Sequence, residues 1–378
     1  MGVWDELTGQ ADAVAVFSSA ADANTDDSSM THSWLVTGPP GSGRSNIAYA
    51  FATALLSTGR DDDATARQVA ARTHPDLGVL STERVIISIE EVRKLVSTSQ
   101  FSPSVGRYRV MVIEDADRMT ERTSNVLLKA LEEPPPRTVW ILCAPSEADL
   151  IPTIRSRVRS VRLRVPAVDE VAALISRRDN VDLPTATRAA REAQSHIGMA
   201  HRLATNVDAR ARREETLRIA LSIRSVSDAV RAAGKLLELA GDDAKAITLE
   251  KDAEERASAM RSLGVEPGGT IPPALRAQLK NLDEDQKRRA TRSLRDGIDR
   301  IMVDLLSLYR DILLMQLGAT VELINLSIHS DLLSASERSS AADTLATMDA
   351  IATARRRIES NVSPALALEA MLISAAGT

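Results

Sequence analysis

The residues best suited to chemistry lie between Gly38 and Ser45, GPPGSGRS. They fit the phosphate-loop template G-x-x-x-x-G-K-S/T at every position but one, where Arg44 stands in place of lysine. Gly38, Gly41 and Gly43, interleaved with Pro39, Pro40 and Ser42, let the backbone curl so that its N–H groups point inward at a phosphate. Ser45 is then placed to hold Mg²⁺. A lysine at this point is a compact charge on a slim stem, whereas arginine is planar, bulkier and carries its donors differently. Anion binding can survive that change, but catalysis is less forgiving, since ~1 Å of misplacement can cost ~100-fold in rate. A Gly-rich strand-to-helix turn that holds no ligand would give the same pattern.

A second chemical feature is the acidic pair Glu114 and Asp115 in VMVIEDADRM, directly after the apolar run Val110 to Ile113. P-loop ATPases place a carboxylate there for Mg²⁺ and a second acid beside it to orient water. The usual order is Asp then Glu; here it is reversed, so one side chain is a methylene longer and the other shorter than the chemistry expects. The alternative is that the two acids open a solvated loop and cap the helix near Thr120.

The elements that must position these groups alternate. WLVT, from Trp34 to Thr37, runs into the Gly-rich turn and then a helix carrying Ala48, Ala50 and Ala52. After Val110 to Ile113 comes a helix over SNVLLKALEE, stopped by Pro134, Pro135 and Pro136. Thr138 to Ala144 and Val161 to Val165 are further strands. This alternation predicts parallel βαβ units, and apolar runs without polar alternation predict strands covered on both faces. Val168 to about Ala204 reads as a small helical unit punctuated by Pro166 and Pro184. From Asn206 onward the pattern is helical, over Arg210 to Ala240, Pro273 to Leu317 and, in pieces, Ser336 to Ala376. Gly264 to Pro273, Thr25 to Ser29 and Gly59 to Thr65 read as loops.

Composition narrows the function classes. Of 378 residues, 44% are apolar but only 2% aromatic, so Leu, Ile, Val and Ala must form the cores. The formal charge of −5 is unlike a monomeric DNA-binding protein, so any DNA contact must come from a local patch or from partner chains. The one cysteine, Cys143, excludes an internal disulfide or a cysteine-based zinc site and fits a core position. MGVWDELTGQ lacks the features of a signal peptide, and no apolar run approaches a membrane span, which together predict a cytoplasmic protein. Lys287 to Arg295 and Ala354 to Arg357 are charge clusters whose default reading is a solvated helix face. Ile301, Leu305, Leu306, Leu308, Ile312 and Leu313 have helical spacing suited to a core or a subunit interface.

SNVLLKALEEPP, Ser124 to Pro135, resembles the SNALLKxLEEPP segment of bacterial DNA polymerase III clamp-loader subunits, and TIRSRV, Thr153 to Val158, resembles their TLRSRC segment. THSWLVTGPPGSGRS and THPDL, Thr73 to Leu77, resemble further family segments. The resemblance covers residues 1 to about 205; beyond them only helicity and length match. Arg44 and the Glu114–Asp115 order resemble the delta-prime kind more than gamma/tau, which keeps the lysine and the Asp-Glu order.

The resemblance implies a parallel-sheet α/β P-loop domain of AAA+ type over residues 1–165, a small helical lid over 166–206 and an all-α collar domain over 207–378. It implies a part in loading the sliding clamp during replication. The implied partners are gamma/tau and delta subunits, the sliding (beta) clamp and, through the complex, primer-template DNA. It also implies ATP or ADP with Mg²⁺ at a degenerate site. No zinc is expected, because Ser57 to Arg72, where relatives carry a four-cysteine module, has no cysteine. Arg157 takes the place of the arginine that points into a neighbour's ATP site, with Val158 at the cysteine of the triplet; by spacing alone it is one surface arginine among Arg155, Arg159, Arg162 and Arg164. In IGMAHRLA, His201 stands where the family's lid carries a sensor arginine, with Arg202 next to it, although the segment also reads as a plain amphipathic helix. Gly9 and Gln10 border a base pocket in relatives or form a plain loop. The rival readings are a working gamma-type ATPase and a P-loop kinase acting on a small molecule.

Overall fold

A computed structural model describes residues 4, 7–22, 30–59, 62–82, 86–262, 276–360 and 362–376. The strands β1 (Ser33–Thr37), β2 (Leu77–Leu80), β3 (Arg109–Ile113), β4 (Thr138–Ala144) and β5 (Arg159–Arg162) form one parallel sheet in the order β2-β3-β4-β1-β5. The helices around and after it are α1 (Ala11–Asp22), α2 (Arg44–Leu56), α3 (Asp62–Ala70), α4 (Ile89–Ser99), α5 (Glu121–Glu132) and the short α6 (Pro152–Arg155). The chain leaves β1, crosses to the far edge at β2 and works back, so the ends of β1 and β3 flank that of β4 along one edge. Open parallel sheets bind ligands at such carboxyl ends.

Period-two packing explains why the strands read as unbroken apolar runs. Trp34, Val36, Val110, Val112, Val139, Ile141 and Cys143 face one buried cluster with Phe17 of α1 and Ile47, Phe51 and Leu55 of α2. Leu35, Met111, Ile113, Trp140 and Leu142 face the other, with Val92 and Leu95 of α4 and Leu127 and Leu131 of α5. Both faces are thus covered, and aliphatic residues do most of the filling. The rings of Phe17, Trp34 and Phe51 gather on one side, with centroids 4.6 to 5.4 Å apart. Beneath β2 and β3, the buried Asp76 accepts hydrogen bonds from the N–H groups of Ser104, Val105 and Gly106 and pairs with Arg109 at 3.0 Å.

Four expectations are corrected, the first being the loop over Gly59 to Thr65, which gives way at Asp62 to α3. β5 runs over Arg159–Arg162 rather than Val161 to Val165, because its register with β1 sets Trp34 opposite Arg159. β2 was not expected as a strand; it is four residues long, includes Gly78 and begins at the last residue of the THPDL motif. The helix expected over Arg210 to Ala240 is two, α10 (Val207–Leu221) and α11 (Val226–Ser262), because the Ser225 hydroxyl accepts from the Asp228 N–H and starts a new one.

The chain divides into two compact units, Met1–Thr205 and Asn206–Thr378. The first also contains α7 (Val168–Asp179), α8 (Leu183–Glu192) and α9 (Ile197–Thr205). The second comprises α10, α11, α12 (Arg276–Gln316), α13 (His329–Ser336), α14 (Ala341–Glu359) and α15 (Pro364–Ala376). Ile301, Leu305, Leu308 and Ile312 fill its core, with Leu306 at the margin. The loops expected at Thr25 to Ser29 and Gly264 to Pro273 lie outside the described residues. Among the described residues no helix is long and apolar enough to cross a membrane.

Candidate functional site

β1 delivers the chain into the glycine loop. Gly41 (φ +81°) and Gly43 (φ +91°) lie in the left-handed region, which glycine adopts without a Cβ penalty. The Ser42 N–H donates to the Pro39 carbonyl at 3.1 Å, and the Gly38 N–H to the carbonyl of Pro145 beyond β4 at 3.2 Å. Gln10 is buried and ties three pieces together. Its Nε2 donates to the carbonyls of Ser42 (3.2 Å) and Arg164 (2.9 Å), and its Oε1 accepts from the Arg164 N–H at 3.2 Å. The Gly9–Gln10 segment therefore staples the phosphate loop to the connection between β5 and α7.

The side chains expected to meet a nucleotide meet one another. Arg44 Nη1 donates to the Gly38 carbonyl at 2.9 Å, back onto its own loop. Glu114 does come to Ser45, whose hydroxyl donates to Oε2 at 3.4 Å. Its Oε1 accepts from the hydroxyl of Tyr49 on α2 and from Arg72 Nη2 at 2.9 Å. The Arg72 guanidinium also lies 5.5 Å from the centre of the Tyr49 ring. Burial first, then the hydrogen bond to Glu114 and its charge, push the Tyr49 hydroxyl far above its ordinary pKa, so it stays a donor. Asp115 takes a left-handed backbone (φ +51°) and pairs with Arg118 at 3.5 Å. The α5 cap is Thr120 itself, whose hydroxyl accepts from the Thr123 N–H; neither acid serves as that cap.

Besides Tyr49 and Arg72, sequence reading missed Asp117 and His196. Asp117, two positions past Asp115, has a buried Oδ1 without a hydrogen-bond partner; burial, followed by the charge of Asp115, raises its pKa. His196 precedes α9, and its ring packs on Gly41 so closely that a Cβ there would lie 2.2 Å from the ring Cγ. The Met199 N–H donates to His196 Nδ1 at 3.2 Å, which orients the ring. Only the IGMAHRLA segment hinted at a lid contact, and it pointed to His201. His201 instead bonds through Nδ1 to Asp179 at the end of α7, at 2.7 Å.

Arg157 follows α6 and is about one-third exposed. Its Nε donates to Glu132 Oε1 at 2.6 Å, and its Nη1 to the Thr153 carbonyl (2.7 Å) and the Ser156 hydroxyl (3.0 Å). Arg157 and Glu132 line an open cavity of about 440 Å³ together with His32, Leu131 and Ser156. None of these residues belongs to the phosphate loop or the acidic pair. Cys143 is fully buried in β4, which pushes its thiol up to about 12; it is a core residue.

A parallel sheet in the order β2-β3-β4-β1-β5, a glycine loop after β1, an acid after β3 and a three-helix unit whose His196 meets the loop define a P-loop domain of AAA+ type. The family model described as DNA polymerase III, delta subunit, matches residues 9–167. The DNA polymerase III subunit delta' of Pseudomonas aeruginosa is 37% identical over 134 residues, 33% of this chain and 41% of that protein. The gamma/tau subunit of Mycobacterium tuberculosis is 27% identical over 182 residues, 46% of this chain and 30% of that protein. A gamma-subunit-related structure from Thermotoga maritima covers 91% of this chain and 93% of its own at 16% identity, with a TM-score of 0.40. The chain thus spans less than half the length of these curated relatives. Over its N-terminal region it is related to the delta-prime and gamma/tau clamp-loader subunits of DNA polymerase III.

Proposed function

We propose that the chain is a delta-prime-type clamp-loader subunit that presents Arg157 to a nucleotide held by a neighbouring gamma/tau subunit and hydrolyses little ATP itself. The observation that carries this reading is Glu114. Its carboxylate, which would have to coordinate Mg²⁺, already accepts from Ser45, Tyr49 and Arg72. Arg44 turned onto Gly38 and His196 packed against Gly41 support the same reading, of a site held away from the hydrolytic arrangement. Arg157 is differently placed, since its side chain is about one-third exposed and lines an open cavity away from the phosphate loop. A guanidinium brought beside a phosphoryl group in transfer offsets developing charge, an effect worth ~10³–10⁵ in rate for arginine fingers. Gamma/tau and delta subunits, the sliding clamp and primer-template DNA are the partners this role requires.

The test is reconstitution with gamma/tau and delta subunits, comparing the unmodified chain with Arg157→Ala. Assembly should persist while DNA-stimulated ATP turnover and clamp loading fall; unchanged turnover removes the assignment. A gamma-type motor is the competing reading, favoured by the longer match to gamma/tau. It requires the isolated chain to turn over ATP.

A further inference from the structure

Glu132 has no part in the reading so far, yet it makes the shortest described contact to the arginine on which that reading rests. Its Oε1 accepts from Arg157 Nε at 2.6 Å and also pairs with Nη2. The Thr153 carbonyl and the Ser156 hydroxyl take Nη1. A guanidinium has five N–H donors in a rigid fork, so three groups on two elements fix its plane and leave part of the fork for a ligand.

The frame behind the pair is rigid. Glu132 closes α5 directly after Leu131, and the Arg157 N–H donates to the Ile154 carbonyl at 2.9 Å. Leu131 and Ile154 are fully buried in the same cluster beneath the sheet. The two backbones that carry the pair are therefore set by core packing, and the carboxylate converts that fixed spacing into a fixed guanidinium. A long side chain otherwise forfeits ~2 kcal/mol of rotamer entropy on binding. The side chains of Glu132 and Arg157 are 45% and 32% exposed, so the pair adds little to stability itself.

Resting on the finger reading above, we propose that Glu132 is the positioning residue of Arg157: it holds the Nε edge so that the remaining Nη2 donor meets the neighbour's phosphate in one geometry. Glu132 touches no reacting atom; it acts through the arginine.

The test uses the reconstituted complex carrying Glu132→Ala, Glu132→Gln, Arg157→Ala or the Glu132→Ala/Arg157→Ala pair. Losing an orienting partner should lower kcat for DNA-stimulated ATP turnover by about tenfold in Glu132→Ala with KM little changed. Glu132→Gln should keep most of the activity, because its amide oxygen still accepts from Nε–H. The double variant should be no slower than Arg157→Ala. An unchanged or raised kcat in Glu132→Ala overturns the proposal, a rise marking Glu132 as a competitor for the guanidinium; so does a further loss on the Arg157→Ala background. If Arg157→Ala itself has no effect, the finger reading is what fails. Should Glu132→Ala not assemble, the Arg157 Nε–H resonance of the isolated full chain decides. It should be exchange-protected, and lose that protection in Glu132→Ala; protection equal in both overturns the assignment.

Discussion

The guanidinium of Arg44 donates at 2.9 Å to the carbonyl of Gly38, the residue where its own phosphate loop begins. An arginine so folded answers a loop carbonyl rather than a ligand. Restoring lysine frees that carbonyl but leaves Glu114 bonded to Tyr49, Arg72 and Ser45. Arg44→Lys alone should therefore leave the isolated chain's ATP turnover at its unmodified background, since a carboxylate misplaced by ~1 Å already costs ~100-fold. Steady-state phosphate release measures this, and ready turnover by the single variant would show that Glu114 lets go of its partners.

Gly41 and Gly43 share a left-handed backbone but not their surroundings. A Cβ on Gly43 meets nothing within 4 Å, whereas one on Gly41 collides with His196. Gly43→Ala should lose about 1–2 kcal/mol from its backbone alone. Gly41→Ala should lose a further ~1–3 kcal/mol from overpacking, and His196→Ala should return much of that excess. Urea unfolding of native protein, the two glycine variants, His196→Ala and Gly41→Ala/His196→Ala measures this; equal losses at the two glycines would mean that the histidine does not rest on the loop.

Asp76 has a fully buried side chain paired to the nearly buried Arg109. Burial alone would raise its pKa, but hydrogen bonds from the Gly106, Val105 and Ser104 N–H groups outweigh it and hold the carboxyl below the ordinary range. Asp76→Asn should cost ~3–5 kcal/mol at neutral pH, the usual loss when one partner of a buried pair is removed. A depressed folded pKa gives stability that is present above the unfolded value, ~3.9, and lost as pH falls through the folded one. The gap between native and Asp76→Asn in urea unfolding should thus be full at pH 7 and shrink below about pH 4. A gap that widened on acidification would reverse the sign.

Much of this was legible in the residues. The unbroken apolar runs of β1, β3 and β4 pointed to both-face coverage, and GPPGSGRS and the acids after Ile113 singled out Ser45 and Glu114, which the structure brings together. Hidden were contacts that depend on tertiary closure. Nothing local marks His196 as the residue on Gly41, or Tyr49 and Arg72 as the partners of Glu114, because these lie on separate elements. β2 escaped notice because four residues including Gly78 carry too little periodicity, and its place comes from pairing with β3. His201 was placed by motif position, but Asp179, 22 residues earlier in sequence, captures it.

The second unit, beyond the matched family region, has a buried polar knot that makes its own prediction. The Asp311 carboxylate on α12 is fully buried and accepts from the N–H groups of Ile324 (2.9 Å) and Asn325 (2.7 Å), from Asn325 Nδ2 (3.0 Å) and from Arg310 Nη1 (2.8 Å). Asn325 in turn takes Arg213 Nη2 on Oδ1 at 2.6 Å, and Arg213 Nε reaches Asp304 at 2.9 Å. The loop after α12 is thus pinned to α12 by the Asp311 carboxylate and to α10 by Arg213. Asp311→Ala should cost ~3–5 kcal/mol, because it leaves the N–H groups of Ile324 and Asn325 and the Asn325 amide short of a buried acceptor. The exposed pair Lys245–Asp242, at 3.7 Å, is the control: Asp242→Asn should shift stability by less than ~1 kcal/mol. Hydrogen exchange adds a local readout, since the Ile324 and Asn325 amides should lose protection in Asp311→Ala before the helices do. Protection retained at both amides would mean that the loop holds its shape without the carboxylate.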